Sequence, residues 1–193
     1  MKKAFVGFLI LFFPFIVWAA DQLPVFGKVS EFSFIDQNKK PLSSSDLEGQ
    51  VWIANFIFTR CQGICPLLTG QMAVLNEKLK NQNVQFISFS VDPEHDTSEV
   101  LLQYIMDRKI MNENWFFVTT GQNQDMWDFI SQNFKLGTDE TTAEDRAQGA
   151  EPVMHSSRFV LIDGKCQIRG YYYSQDPQKI EALVKDARTL AET

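Results

Sequence analysis

Residues 51–66 read VWIANFIFTRCQGICP and join a buried segment to a reactive one. The first half, Val51–Phe58, is an almost unbroken apolar run of strand length, which is typical of a central strand covered on both faces. The second half carries Cys61 and Cys65, and an amphipathic pattern from Pro66 onward predicts a helix. Two cysteines between a strand and a helix N-terminus lie where thiolate, the form that binds soft metals and exchanges disulfides, is favoured.

Predicted strands and helices alternate through the rest of the chain. Apolar runs predict further strands at 84–91 and 115–119, and helical periodicity predicts helices beginning near 66, 96, 124 and 177. Residues 29–36, followed by a turn at 37–41, predict an N-terminal hairpin, and Asp163-Gly164 between two strand segments predicts another. A strand, a cysteine loop and a helix, followed later by a hairpin and a last helix, predict an α/β thioredoxin-like three-layer sandwich with a central mixed sheet.

The N-terminus has the pattern of an export signal. Lys2 and Lys3 precede an uncharged apolar run from Ala4 to Ala20, and Asp21 then opens a polar segment. We expect residues 1–20 to be a signal peptide, with an uncleaved N-terminal membrane anchor as the alternative. We expect residues 21–193 to form a single domain in the periplasm or another extracytoplasmic space, because no repeat or linker divides them.

Composition and charge narrow the classes of function. Apolar residues make up 45% and charged residues 22% of the chain, as in a globular protein. The formal net charge of −6 argues against a nucleic-acid partner, which needs a basic surface. With three cysteines, the chain is not a disulfide-rich miniature, and a stabilising disulfide across the short Cys61–Cys65 loop would constrain little chain entropy.

A third candidate ligand lies far along the chain. His155 comes immediately before the predicted strand 157–162, and in a thioredoxin-like fold the turn entering that strand lies against the cysteine loop. Two thiolates and one imidazole suit Cu(I) in trigonal geometry, or Cu(II) with a weak fourth ligand. Zinc accepts the same ligands but usually takes four. We therefore expect Cys61, Cys65 and His155 to bind copper.

Three motifs together resemble the Sco/SenC family, named for synthesis of cytochrome c oxidase. They are TRCQGICP at 59–66, SVDPEHDT at 90–97 and HS at 155–156 followed by FVLIDGK at 159–165, and the resemblance covers roughly residues 25–190. It implies a thioredoxin-like fold that binds one copper through Cys61, Cys65 and His155. It also implies delivery of copper, or of reducing equivalents, to the binuclear copper centre in the copper subunit of a terminal oxidase. Another cuproprotein is the alternative target, and we expect a thiol reductase as a further partner.

The chain departs from the family pattern at two positions near these motifs. Gln62 stands where the family commonly has Pro, and His95 where it usually has Arg. We expect His95 to be exposed at a helix start, with service as an auxiliary ligand as the alternative. Cys166 is not a family ligand, and we expect it to be a small buried hydrophobe. Asp92 and Asp96 are expected to end a strand and to cap a helix, rather than to serve as acid–base groups or as a fourth ligand.

Other functions use the same cysteines. The chief alternative to a copper chaperone is a metal-independent thiol–disulfide oxidoreductase that uses Cys61 and Cys65 as its redox pair. Against it, a thioredoxin-type enzyme needs a Pro where His155 stands, and Pro152 lies three positions early. A peroxiredoxin-like peroxidase is disfavoured because it expects Thr-x-x-Cys, whereas this chain has Thr59-x-Cys61. A copper sensor without a transfer role stays open.

Overall fold

The computed structural model describes residues 23–136 and 156–192. The strands in these ranges are β1 (Gly27–Lys28), β2 (Ser33–Asp36), β3 (Pro41–Ser43), β4 (Val51–Ile57), β5 (Val84–Ser90), β6 (Trp115–Thr119), β7 (Arg158–Ile162) and β8 (Gln167–Tyr173). The α-helices are α1 (Cys65–Leu79), α2 (Ser98–Asp107), α3 (Asn123–Phe134) and α4 (Pro177–Ala191), and a 3-10 helix spans Ser44–Leu47. The expected signal segment 1–20 and His155 lie outside the described residues.

The strands form one mixed sheet in the order β1-β8-β7-β4-β5-β6-β2-β3. β4 lies at its centre, parallel to β5 and antiparallel to β7, and every residue of β4 is buried. The unbroken apolar run follows from this position, because a strand covered on both faces has no solvent-facing side that would need polar residues.

Helices cover both faces of the sheet. On one face, Thr69 of α1 hydrogen-bonds Tyr104 of α2 at 2.8 Å, and Arg188 of α4 donates to the carbonyl of Lys78 in α1 at 3.0 Å. On the other face, α3 closes an aromatic cluster whose members are Phe32, Phe34, Trp52, Phe56, Phe89, Phe129 and Phe134. Each fully buried Phe contributes roughly 1.5–3 kcal/mol of transfer free energy. The helices and sheet therefore make the three layers that the sequence predicts.

The N-terminal hairpin forms, but its first strand is shorter than predicted. β2 and β3 pair antiparallel with Ser33 opposite Ser43, and β2 begins at Ser33 rather than at Val29. The reason is that the chain before it pairs elsewhere: β1 lies beside β8, and the N–H of Val29 donates to the carbonyl of Cys166 at 2.8 Å. This extra pairing ties the N-terminal segment to the far edge of the sheet.

The chain between β4 and α1 is short and carries the cysteines. α1 begins at Cys65, with Pro66 in its first turn, where the missing N–H of proline costs no helical hydrogen bond. The predicted helix start at Pro66 is thus confirmed to within one residue. No helix within residues 23–136 and 156–192 combines the length and apolar character that a membrane crossing requires.

Candidate metal centre

Cys61 and Cys65 converge at the carboxyl end of β4. Cys61 is 4% exposed and Cys65 is fully buried. The backbone N–H of Cys65 points at Sγ of Cys61, with a nitrogen–sulfur distance of 3.4 Å, so the first sulfur lies over the first turn of α1. The N-terminus of this 15-residue helix places positive partial charge beside that sulfur. The loop thus brings both thiol-bearing residues together in a setting that suits a soft cation or a disulfide.

The third predicted ligand, His155, lies outside the described residues. The structure therefore gives only the position of the strand that follows it. β7 runs antiparallel to β4, with Val160 opposite Ala54 and Ile162 opposite Trp52. The start of β7 at Arg158 therefore lies toward the carboxyl end of β4, where the cysteine loop begins. Ser156 and Ser157 precede β7 directly, so the chain enters β7 from the side of the carboxyl end of β4. The participation of His155 stays a prediction.

The two residues before Cys61 are fixed by two aspartates from the turn between β5 and α2. Asp96 has no exposed surface, and its carboxylate accepts hydrogen bonds from the N–H of Thr59 at 3.0 Å and from Oγ1 of Thr59 at 2.5 Å. Asp92 accepts two hydrogen bonds from Arg60, through Nε at 2.9 Å and Nη2 at 2.5 Å. The approach to Cys61 is therefore clamped through side chains more than 30 positions away in the sequence.

The predicted capping role of Asp96 is wrong. The N-cap of α2 is Thr97, whose Oγ1 accepts a hydrogen bond from the N–H of Val100. Asp96 instead turns inward, where Ser90 donates to it at 2.6 Å in addition to Thr59. The sequence could not distinguish these roles, because Asp and Thr are both good N-caps and the competing partners of Asp96 are remote in the chain.

His95 is half-exposed in the same turn, in line with the expectation of an exposed residue near a helix start. Its Nδ1 lies 3.0 Å from a carboxylate oxygen of Asp96 and 3.4 Å from Oγ1 of Thr59. Ligand atoms of Asp92, His95 and Asp96 lie within 4.8 Å of one another, close enough to share an ion. However, Arg60 and Thr59 already engage the two carboxylates, so a cation there would have to displace existing hydrogen bonds.

Cys166 lies at the opposite end of the sheet from the cysteine loop. It stands in the turn between β7 and β8 with φ of 58°, and it is 7% exposed. Ile162, just before this turn, pairs with Trp52 near the amino end of β4. The length of β4 therefore separates the two sites, roughly 20 Å at the usual rise per residue. Burial raises the pKa of the Cys166 thiol, consistent with the predicted inert hydrophobe.

No sequence motif indicated that a buried phenol contacts the helix that begins at Cys65. Tyr104 of α2 is 5% exposed, and its hydroxyl lies 2.8 Å from that of Thr69. Burial is the main cause that raises the pKa of Tyr104, and the negative charge available to Cys65 and Cys61 raises it further, while Thr69 and Arg108 lower it. Thr69 lies four residues after Cys65 on the same face of α1, but its contact with Tyr104 spans 35 positions, so no local signal indicated it.

Comparison with known proteins identifies the family. The SCO1/SenC family model matches residues 21–192. The chain belongs to the SCO1/SenC family. It is 38% identical to the SCO1 protein homolog of Bacillus subtilis over 170 residues, which cover 87% of this chain and 85% of the relative. A relative from Stutzerimonas stutzeri that is named for copper binding is 27% identical over 164 residues, covering 83% of this chain and 76% of the relative.

Solved structures of the family share the fold. A SCO1/SenC family lipoprotein from Bacillus anthracis superposes with a TM-score of 0.76 and 34% identity, covering 86% of this chain and 95% of that one. BsSco, described as having a disulfide switch and as a member of the Sco family of cytochrome c oxidase assembly proteins, has a TM-score of 0.76 and 30% identity, with coverage of 88% and 97%. The predicted family and the thioredoxin-like fold are both confirmed.

Proposed function

We propose that this protein is an extracytoplasmic copper chaperone. It binds one copper ion through Cys61, Cys65 and His155, and it supports assembly of the binuclear copper centre of cytochrome c oxidase or of another cuproprotein. The export pattern of residues 1–20, and the lipoprotein from Bacillus anthracis, support the extracytoplasmic location. Residues 21–193 act as the single working domain in this proposal.

The observation that carries the proposal is the convergence of two buried cysteines, Cys61 and Cys65, on a loop whose approach is held by Asp92 and Asp96. Soft thiolates favour copper over hard cations, and a rigid support makes a ligand pair selective in geometry. The entry of β7 at the same edge of the sheet supports His155 as the third ligand. The relative named for copper binding and the membership of BsSco in a family of cytochrome c oxidase assembly proteins support the choice of cargo and partner.

In this proposal, copper binding depends on the redox state of Cys61 and Cys65. Copper binds the deprotonated thiols, so its affinity falls as the pH falls and protons compete for sulfur and imidazole. When a partner disulfide takes two electrons from the thiolates of Cys61 and Cys65 and two protons from solvent, the partner becomes a dithiol, and the pair closes as a disulfide that no longer offers thiolates. Copper then leaves by stepwise exchange onto the thiols of the recipient.

A metal-independent thiol–disulfide oxidoreductase is the second candidate. It uses the same two cysteines without copper, and the disulfide switch described for BsSco favours it. The two functions differ in one measurable property. A chaperone needs stoichiometric copper binding that depends on an imidazole, whereas a reductase needs only the pair of thiols.

Anaerobic copper titration of the reduced protein, followed spectroscopically, tests the proposal. We expect one equivalent to bind, and we expect His155→Ala to weaken binding while the disulfide still forms. His95→Ala is the matched control, because it removes the other histidine of the chain from a turn near the same loop. Rapid disulfide exchange without copper binding would favour the reductase. Unchanged spectrum and affinity in His155→Ala would overturn the ligand assignment.

A further inference from the structure

We propose that Tyr104 is a positioning residue of the cysteine site, acting through Thr69 to hold the first turns of α1 and to face the charge of the cysteine pair with hydroxyl dipoles. This inference rests on the proposed use of Cys61 and Cys65. It extends that use to a residue of α2 that belongs to none of the sequence motifs discussed above.

Cys65 and Thr69 share one face of α1. Cys65 is the first residue of α1 and Thr69 is four residues later, so their side chains lie on one face, with β-carbons about 5–6 Å apart. That face is inward, since Cys65 is fully buried and Thr69 is 2% exposed. A hydroxyl that contacts Thr69 from the neighbouring helix is therefore one helical turn from the second sulfur.

Tyr104 supplies that hydroxyl. Its oxygen lies 2.8 Å from Oγ1 of Thr69, and this buried contact links α1 to α2. The guanidinium of Arg108 lies over the phenol ring, 3.5 Å from its centroid, on the solvent side of the residue. The hydroxyls of Thr69 and Tyr104 thus lie on the inward side of the cysteine helix, with Arg108 outside the phenol ring. We call these three groups the polar wall.

The polar wall has an electrostatic consequence. In a buried site, hydroxyl dipoles are worth more than in water because the local dielectric constant is low. Burial is the main cause that raises the pKa of the Tyr104 phenol, and negative charge on Cys65 and Cys61 raises that pKa by a smaller amount. In this proposal the two hydroxyls respond to negative charge on the sulfurs, which carry that charge as thiolates in the reduced or copper-bound pair and not in the disulfide.

Tyr104→Phe tests the proposal with little change in packing, because only the hydroxyl is removed. We expect copper affinity of the reduced protein to fall about three- to tenfold, the worth of a typical buried hydrogen bond. We expect the reduction potential of the Cys61–Cys65 disulfide to become more negative by up to about 30 mV, the equivalent of tenfold for a two-electron couple. Thr69→Val should reproduce both shifts, and Thr69→Ser should restore the values of the native protein.

Tyr172→Phe is the matched control. Tyr172 is 6% exposed, and its hydroxyl donates to Asp186 at 2.7 Å, so this hydrogen bond links β8 to α4 and not to α1. This variant should change neither the copper affinity nor the reduction potential. Equal shifts in Tyr104→Phe and Tyr172→Phe would overturn the proposal, since they would indicate a general loss of stability.

Two further results separate this proposal from the proposed function. If the native protein binds no copper, the copper-chaperone function fails, and the reduction potential of Tyr104→Phe alone decides the role of Tyr104. If Tyr104→Phe leaves both the potential and the copper spectrum unchanged, the role of Tyr104 is disproved while the chaperone function stands. Strictly additive effects of Tyr104→Phe and Thr69→Val would show that Tyr104 does not act through Thr69.

Discussion

The two ends of β4 are built from similar parts but are suited to different work. Each end has a buried cysteine nearby and a buried aspartate whose carboxylate accepts at least one backbone N–H. At the amino end, Asp163 accepts from the N–H groups of Lys165 and Gln167 and pairs with Arg169 at 2.7 Å. At the carboxyl end, Asp96 accepts mainly from Thr59 and Ser90. The contacts of Asp163 close the β7–β8 hairpin, and those of Asp96 hold the loop that carries Cys61.

Burial alone does not distinguish the cysteines at the two ends of β4. Cys166 is about as buried as Cys61, but it lies in a hairpin turn, where burial raises the pKa of its thiol. Cys61 has the N–H of Cys65 at 3.4 Å from its sulfur and a clamped backbone before it. The difference between the two cysteines lies in the support around them, and the following substitutions test that difference.

The largest effect on copper affinity is expected from replacing one cysteine with serine, and the same replacement at the other end of β4 is its control. Cys61→Ser should lower copper affinity by more than about a hundredfold, since loss of a ligand exceeds the loss caused by removing its supporting partner. Cys166→Ser should leave copper affinity unchanged. Titration of both variants under reducing, anaerobic conditions measures this, and a comparable loss in Cys166→Ser would refute the distinction between the two ends.

The two aspartates should affect stability alike and function differently. Asp96→Asn puts an amide NH2 into a pocket lined by donors, and Asp163→Asn breaks the pair with Arg169, so each should cost about 2–4 kcal/mol of unfolding free energy. Only Asp96→Asn should also weaken copper binding, because it releases the segment before Cys61. Urea denaturation and copper titration of both variants give the two quantities. Loss of copper affinity in Asp163→Asn, after correction for unfolded protein, would contradict the account.

A smaller effect is expected at the other end of the Asp96 contact. Thr59→Val keeps the shape of the side chain but removes the hydroxyl that donates to Asp96, and should cost about 1–2 kcal/mol of unfolding free energy. Thr59→Ser keeps the hydroxyl and should recover most of that loss. Denaturation curves of the two variants provide the measurement, and equal stabilities would mean that the hydroxyl does not anchor the loop.

The smallest effect on stability is expected from the exposed ion pair between Lys39 and Glu99, which lies at neither of the two sites compared above. The contact with Lys39 is the main cause that lowers the pKa of Glu99 to about 2. A lowered carboxyl pKa contributes stability above its unfolded value near 4.5, and that stability is lost as the pH falls through about 2. Because both side chains are mostly exposed, salt should screen the effect. At high salt, the unfolding midpoints of Glu99→Gln between pH 5 and pH 2 should therefore match those of the native protein. A loss of unfolding free energy as large as that in Thr59→Val would contradict this screening.

Local sequence signals predict the centre of the fold well. The apolar run of β4, the cysteine loop and the start of α1 follow from periodicity and from residue types that are adjacent in the chain. The Asp163-Gly164 hairpin follows from turn chemistry, and the structure adds a steric reason, since a Cβ on Gly164 would lie 2.8 Å from the backbone of Gly49.

The support around the site was beyond prediction because it is non-local. Asp96 reaches Thr59 across 37 positions, and Tyr104 reaches Thr69 across 35. The pairing of β1 with β8, which shortens the predicted first strand, joins residues about 140 positions apart. Such contacts depend on which elements the fold makes neighbours, and no periodic pattern in a single sequence encodes that.

X-ray absorption spectroscopy of the copper-loaded protein tests the central claim most directly. We expect two sulfur scatterers and one imidazole around copper in the native protein. The imidazole contribution should disappear in His155→Ala and persist in His95→Ala. An imidazole contribution that persists in His155→Ala and is lost in His95→Ala would contradict the three-ligand site and place copper beside Asp92 and Asp96 instead.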